Sequence, residues 1–182
     1  MTDTKVVIVP GNGCTDPLRA NWYGWLYNRL IQARIDCRLE EMPDPYDAKE
    51  SVWIPYMHDE LKCDKNTIIV GHSSGAEAAM RYAEKYKVKG IILVSGCVTD
   101  LGMESERVSG YYNRPWLWEK MKANTQFIVY FGSIDDPYIP WAEQQEIVNH
   151  LDPELYKYDD KGHFTSSTYS DLLKVVLAKA KS

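Results

Sequence analysis

The sequence lacks a C-x-x-C pair among its four cysteines, an excess of basic charge, and any apolar run long enough to cross a bilayer. Cys14, Cys37, Cys63 and Cys97 are widely spaced, and no histidine stands near them at zinc-finger spacing, so a structural metal is not expected. Four unpaired thiols suit a reducing compartment, which points to the cytoplasm or the nucleus. With 21 Lys and Arg against 26 Asp and Glu, the net charge is −5, and a nucleic-acid partner is not expected. Spanning a membrane takes roughly 18 apolar residues, and no stretch approaches that, so no membrane partner is expected either. The first apolar run ends at Pro10, too early for a secretory h-region. Neither G-x-G-x-x-G nor G-x-x-x-x-G-K-[ST] occurs, which leaves no phosphate cradle and no implied nucleotide or other cofactor.

What the chain does contain is ordinary for a soluble globular protein: 182 residues, 45% apolar and 26% charged. That length makes residues 1–182 one domain with a substantial core. Continuous β-branched apolar runs lie at 5–9, 67–70, 91–94 and 127–131, with weaker ones at 37–42 and 155–158. Runs of this kind read as strands buried on both faces. Between them, apolar residues recur at helical spacing over 21–33, 51–62, 74–86, 142–151 and 171–180, with Pro55 either inside the first turns of the second of these helices or marking its start. Alternating strands and helices give an α/β fold with a mainly parallel sheet of about six strands flanked by helices. The segment 97–124 breaks this rhythm with a polar stretch and then Tyr111, Tyr112, Trp116 and Trp118, a connection long enough to serve as a lid or pocket wall.

One strand-to-helix junction carries chemistry. Gly71-His72-Ser73-Ser74-Gly75 fits Gly-x-Ser-x-Gly between the run at 67–70 and the alanine-rich helix after it, the setting of a nucleophile elbow in α/β-hydrolases. A serine needs a base and an orienting carboxylate, in the chain order Ser, acid, His. Of the four histidines, His58 precedes Ser73, His72 adjoins it and points elsewhere, and His150 ends a helix. His163 follows the last expected strand and is the candidate base. Asp135 and Asp136 follow the strand at 127–131; Asp136, fixed against Pro137, is the preferred acid, with Asp135 as a brace and Asp100 as a weaker alternative. The oxyanion donors expected are the backbone N–H of Ser74 and one from Asn12 or Gly13, in the loop after the first strand.

Longer stretches carry a wider likeness: VIVPGNG at 7–13, WYGW at 22–25, MPDP at 42–45, TIIVGHSSGAEAAMRYAE at 67–84, RVSGYYNRPWLWEKMKAN at 107–124, FGSIDDPYIPWAEQQE at 131–146 and GHF at 162–164. On these motifs the chain resembles the retinoblastoma-binding protein 9 family of small serine hydrolases over nearly its whole length. The resemblance implies a compact α/β-hydrolase without a large cap domain, and a triad of Ser73, Asp136 and His163. It also implies a pocket lined partly by Tyr111, Tyr112, Trp116 and Trp118. The family takes its name from a Leu-x-Cys-x-Glu stretch proposed to dock on the retinoblastoma pocket; here Leu61-Lys62-Cys63-Asp64-Lys65 ends in lysine, so that partner is not expected. The expected activity is hydrolysis of a small ester or amide bond, peptide bonds included, through an acyl-enzyme. The alternative is a protein-interaction module of hydrolase fold with little turnover.

Overall fold

The structure is a computed structural model in which residues 3–182 are described. Six strands form one sheet: β1 (Lys5–Val9), β2 (Asp36–Arg38), β3 (Thr67–His72), β4 (Gly90–Val94), β5 (Phe127–Ser133) and β6 (Glu154–Tyr158). All neighbours run parallel, in the order β2-β1-β3-β4-β5-β6. The chain leaves β1 towards one edge and returns to the other side of β1 at β3. The carboxyl ends of β1 and β3 therefore flank the point where strand order reverses, the place where open α/β sheets hold ligands.

Period-two alternation sends apolar side chains to both faces of the sheet. Val6, Ile8, Ile68, Val70, Ile92, Val94 and Val129 pack against α1 (Tyr23–Gln32) and α7 (Ser170–Lys181). Val7, Val9, Ile69, Ile91, Leu93 and Tyr130 face α2 (Glu50–Asp59), α3 (Ser74–Lys85), α5 (Trp118–Ala123) and α6 (Trp141–Leu151). The central helix α3 is buried from Ser74 to Glu84, because it is covered on its outer side by α2 and α5. Its alanines at 76, 78, 79 and 83 allow that close packing. Among the described residues, no helix is long and apolar enough to cross a membrane.

One expectation needs correction and one alternative is resolved. The strand expected over 37–42 ends at Arg38, although Leu39 and Met42 are buried: Leu39 packs into the core on one face of the sheet and Met42 into the core on the other, so their apolarity reports packing, not pairing. Pro55 lies in the interior of α2, not at its start; the helix begins at Glu50 and carries Trp53, Ile54 and Met57 into the core on either side of the proline.

The irregular connection contains a four-residue helix α4 (Glu104–Arg107), with no buried residue, followed by the aromatic stretch and α5. A buried arginine fastens the aromatic half. Arg81 donates from Nε and Nη2 to the Tyr111 carbonyl, at 3.1 and 2.6 Å, from Nη2 to Arg114 O at 3.0 Å, and from Nη1 to Pro115 O at 2.9 Å. It pairs with Glu84 at 2.9 Å and stacks 3.7 Å above the Trp116 ring. Every donor of the fork is used, which is what makes a buried guanidinium tolerable.

Candidate active site

Strand β3 delivers its last residues to the switch point, and the backbone turns there through a strained conformation. Ser73 has φ 56° and ψ −118°, a region that non-glycine residues occupy only where their surroundings enforce it. The enforcement is visible. The Ser73 N–H donates to Val94 O at 2.9 Å, and the Ser73 carbonyl accepts from Ala76 N–H at 2.8 Å. A methyl on Gly71 would sit 2.1 Å from Gly75 O, and one on Gly75 would sit 2.1 Å from Val9 O. Both glycines of the motif are thus required by close backbone approach.

Ser73 and His163 line one cavity of about 660 Å³, together with Gly11, Asn12, Gly13 and Cys14 from the loop after β1. The His163 Nδ1 lies 2.8 Å from Asp136 Oδ2, with the carboxylate fully buried. The other oxygen, Oδ1, accepts from the backbone N–H groups of Tyr138 and Ile139, each at 2.9 Å, so the carboxylate has one orientation. Burial alone would push the Asp136 carboxyl up, but the bonds from His163, Ile139 and Tyr138 outweigh it and hold the group below the usual aspartate range.

The neighbouring Asp135 turns away from the imidazole and accepts from Gly162 N–H at 2.8 Å and from the Ser133 hydroxyl, bracing the loop that carries His163. Asp100 accepts from Gly102 N–H at 2.8 Å and shapes a turn. His58 bonds the Tyr82 hydroxyl and stacks on Tyr86. His150 lies flat on Trp118, with ring centroids 4.8 Å apart.

Ser74 opens α3, with its N–H at the positive end of the helix. Of the two candidate loop donors, Gly13 N–H is engaged by Pro45 O at 2.7 Å, which leaves Asn12. The aromatic pocket wall is a correction. Tyr111, Tyr112, Trp116 and Trp118 are absent from the residues lining the cavity: the Arg81 clasp holds Tyr111, 1% exposed, and Trp116, while Tyr112 bonds Glu77 and Trp118 stacks on His150. The aromatic rings at the cavity are Tyr23 and the exposed Tyr138 instead, and the irregular connection contributes Leu101, Met103, Ser105 and Glu106.

Sequence reasoning missed Glu77. It lies one helical turn after Ser73, and that spacing is the signal that would have found it. Its Oε1 accepts from the Tyr112 hydroxyl at 2.7 Å and from Cys97 Sγ at 3.2 Å, while Oε2 is buried without a partner. Burial pushes its carboxyl up to about 8. Also missed were Tyr23 and the role of His72, whose neighbours are fixed only by tertiary contact. Leu61 and Cys63, from the stretch matching the docking motif, are core residues at 1% and 3% exposure.

A family model described as serine hydrolase matches residues 6–175. A rat protein named serine hydrolase RBBP9 is 55% identical over 174 residues, covering 95% of this chain and 94% of its own. A Bacillus subtilis protein named putative hydrolase YdeN is 28% identical over 155 residues, 79% of this chain and 78% of its own. The structure of the ydeN gene product superposes with a TM-score of 0.86 over 98% of this chain and all of that one, at 22% identity. Est1E from Butyrivibrio proteoclasticus gives 0.73 over 100% and 90%, at 12% identity. The distant structures establish the α/β-hydrolase fold, and the family model with the close rat relative establishes more: the chain belongs to the serine hydrolase family, of the RBBP9 type.

Proposed function

We propose that the protein hydrolyses small ester or amide bonds, those of short peptides included, by acyl transfer to Ser73. The observation that carries this reading is that His163, paired with the buried Asp136 at 2.8 Å, lines the same cavity as a serine held at φ 56°.

The proton on His163 Nδ1 is committed to Asp136, so Nε2 presents its lone pair and acts as the base. The Ser73 hydroxyl transfers its proton to Nε2 as Oγ bonds to the substrate carbonyl carbon. The carbonyl oxygen takes the negative charge and is met by the N–H groups of Ser74 and Asn12, with the α3 N-terminus behind them. Collapse of the tetrahedral species breaks the bond to the alcohol or amine, which leaves with the proton from His163. Water then repeats the sequence on the acyl-enzyme, releasing the acid and restoring Ser73. Asp136, ionised throughout, stabilises the imidazolium in both halves.

The same reading extends to place and partner. Four free cysteines support a cytoplasmic or nuclear setting. Burial of Leu61 and Cys63 argues against docking on a retinoblastoma pocket, since presenting them would open the core. A fluorophosphonate probe tests the chemistry. The reading expects stoichiometric labelling and p-nitrophenyl acetate turnover, both lost in Ser73→Ala; labelling that persists in that variant sinks it.

A further inference from the structure

One buried imidazole takes no part in the proton transfers above. His72 is the last residue of β3, directly before Ser73, and is 2% exposed. Its Nε2 lies 2.7 Å from the backbone carbonyl of His163, and its Nδ1 lies 2.6 Å from the Tyr23 hydroxyl. A carbonyl only accepts, so Nε2 carries the proton and Nδ1 accepts from Tyr23. The Tyr23 oxygen then has two lone pairs left. Gly11 N–H takes one at 3.1 Å, and the Asn21 side-chain amide takes the other at 3.3 Å.

The result is a directed run of hydrogen bonds, from Gly11 through Tyr23 and His72 to the carbonyl of His163, in which every group is satisfied and each bond polarises the next. Its two ends matter for catalysis. Gly11 directly precedes Asn12 in the loop after β1, and His163 is the base. A parallel tie runs beside it, from Trp22 Nε1 to Phe164 O at 3.0 Å. Burial drives the His72 imidazole down to about 3, so it remains neutral 5.0 Å from the His163 ring and adds no repulsion when that ring gains a proton.

We propose that His72 and Tyr23 are positioning residues that hold the oxyanion loop, Ser73 and His163 at one mutual spacing. Both border the cavity, but every polar atom of the two rings is committed to the run, so they act on the reaction through the backbone of Gly11 and His163. This rests on the triad reading given above. It assigns a task to the residue between Gly71 and Ser73 beyond filling the elbow, and it makes the geometry of the two loops interdependent.

The test compares Tyr23→Phe, His72→Ala and His72→Gln, with kcat and KM for p-nitrophenyl acetate expressed per site titrated to completion with fluorophosphonate. Misplacement of about 1 Å costs about 100-fold in rate, so His72→Ala is expected to lose about that in kcat, and Tyr23→Phe about tenfold, with KM moving less than about threefold. Glutamine can return an N–H to the His163 carbonyl, so His72→Gln is expected to recover about tenfold over the alanine variant. Nitrogen NMR of wild type is expected to show His72 protonated on Nε2, with the Nδ1 resonance shifted in Tyr23→Phe. Wild-type kcat per titrated site in Tyr23→Phe and His72→Gln, with an unshifted His72 spectrum, overturns the proposal. If His72→Ala does not fold, those two variants decide. Turnover that survives Ser73→Ala would instead overturn the underlying triad reading, a separate outcome.

Discussion

His163 and Asp136 meet through Nδ1 and Oδ2 at 2.8 Å, while the carboxylate one residue earlier points to the N–H of Gly162. Two adjacent acids thus have different work, one on the imidazole and one on the loop that carries it. Asp136→Asn is expected to lower kcat by about 10⁴-fold, because an amide leaves the imidazole in the wrong tautomer. Asp135→Asn keeps an acceptor for Gly162 and is expected to change kcat by less than about threefold, as surface substitutions that preserve contacts do. Steady-state kinetics on the two variants check the assignment; equal losses would refute it.

The elbow is stabilised by shape as well as by bonding. Gly75→Ala places a methyl 2.1 Å from Val9 O and 2.8 Å from Pro10 O, both backbone atoms that have little room to move. The expected loss is about 3 kcal/mol or more of unfolding free energy, at the upper end of overpacking costs. Urea unfolding measures it. A variant of wild-type stability would mean that β1 and α3 can separate freely.

The pH dependence of stability follows from two buried groups with opposite shifts. Burial holds Glu77 at about 8 against 4.5 for a free glutamate, so the folded protein keeps a proton that the unfolded chain releases. Stability from this group is complete below about 4.5 and is lost as pH rises towards about 8. His72 is held at about 3 against 6.5, and its contribution is present above 6.5 and lost as pH falls towards 3. The two slopes oppose each other between 4.5 and 6.5, leaving Glu77 alone from 6.5 to 8. Glu77→Gln is expected to flatten that upper window, a change on the order of a few kcal/mol across it. Unfolding midpoints at pH 6.5 and 8.5 check this; parallel behaviour of variant and wild type would contradict it.

Charge in the cavity sets a further expectation. Its described lining includes the carboxyls of Glu77 and Glu106 and no lysine or arginine. A substrate carboxylate entering there finds no counter-charge and loses hydration. The p-nitrophenyl ester of a monosuccinate is therefore expected to be cleaved at least about tenfold less efficiently in kcat/KM than p-nitrophenyl acetate, a penalty of about 1.4 kcal/mol. Equal efficiencies would show that the acyl group bypasses these carboxyls.

The contrast between legible and illegible parts has a physical cause. Strands such as β4 (Gly90–Val94) announce themselves because both faces of a parallel sheet are buried, leaving no polar alternation. Ser73, Asp136 and His163 stand out because each follows a strand, and strand ends in this topology converge. The inward turn of Tyr111 and Trp116 was hidden, since it depends on Arg81, a charged residue that helical periodicity alone would leave at the surface but which is 2% exposed. The Gly11–Tyr23–His72 contacts were hidden for a similar reason: they join residues far apart in sequence through rings whose burial only the assembled sheet creates. Leu39 and Met42 misled in the opposite sense, because apolar character records burial and carries no information about which backbone groups pair.

The clasp of Arg81 divides the connection between β4 and β5 into a fastened half and a free one. The fastened half, from Tyr111 to Leu117, shares its carbonyls and N–H groups with Arg81 and Glu84 and tolerates little exchange. The free half, around Leu101 to Glu106, edges the cavity with α4, which buries none of its own residues. That separation is an engineering handle. Residues 101–106 can be replaced as a cassette to reshape the cavity rim, while the core beneath keeps its rivet and the Ser73, Asp136 and His163 positions keep their frame.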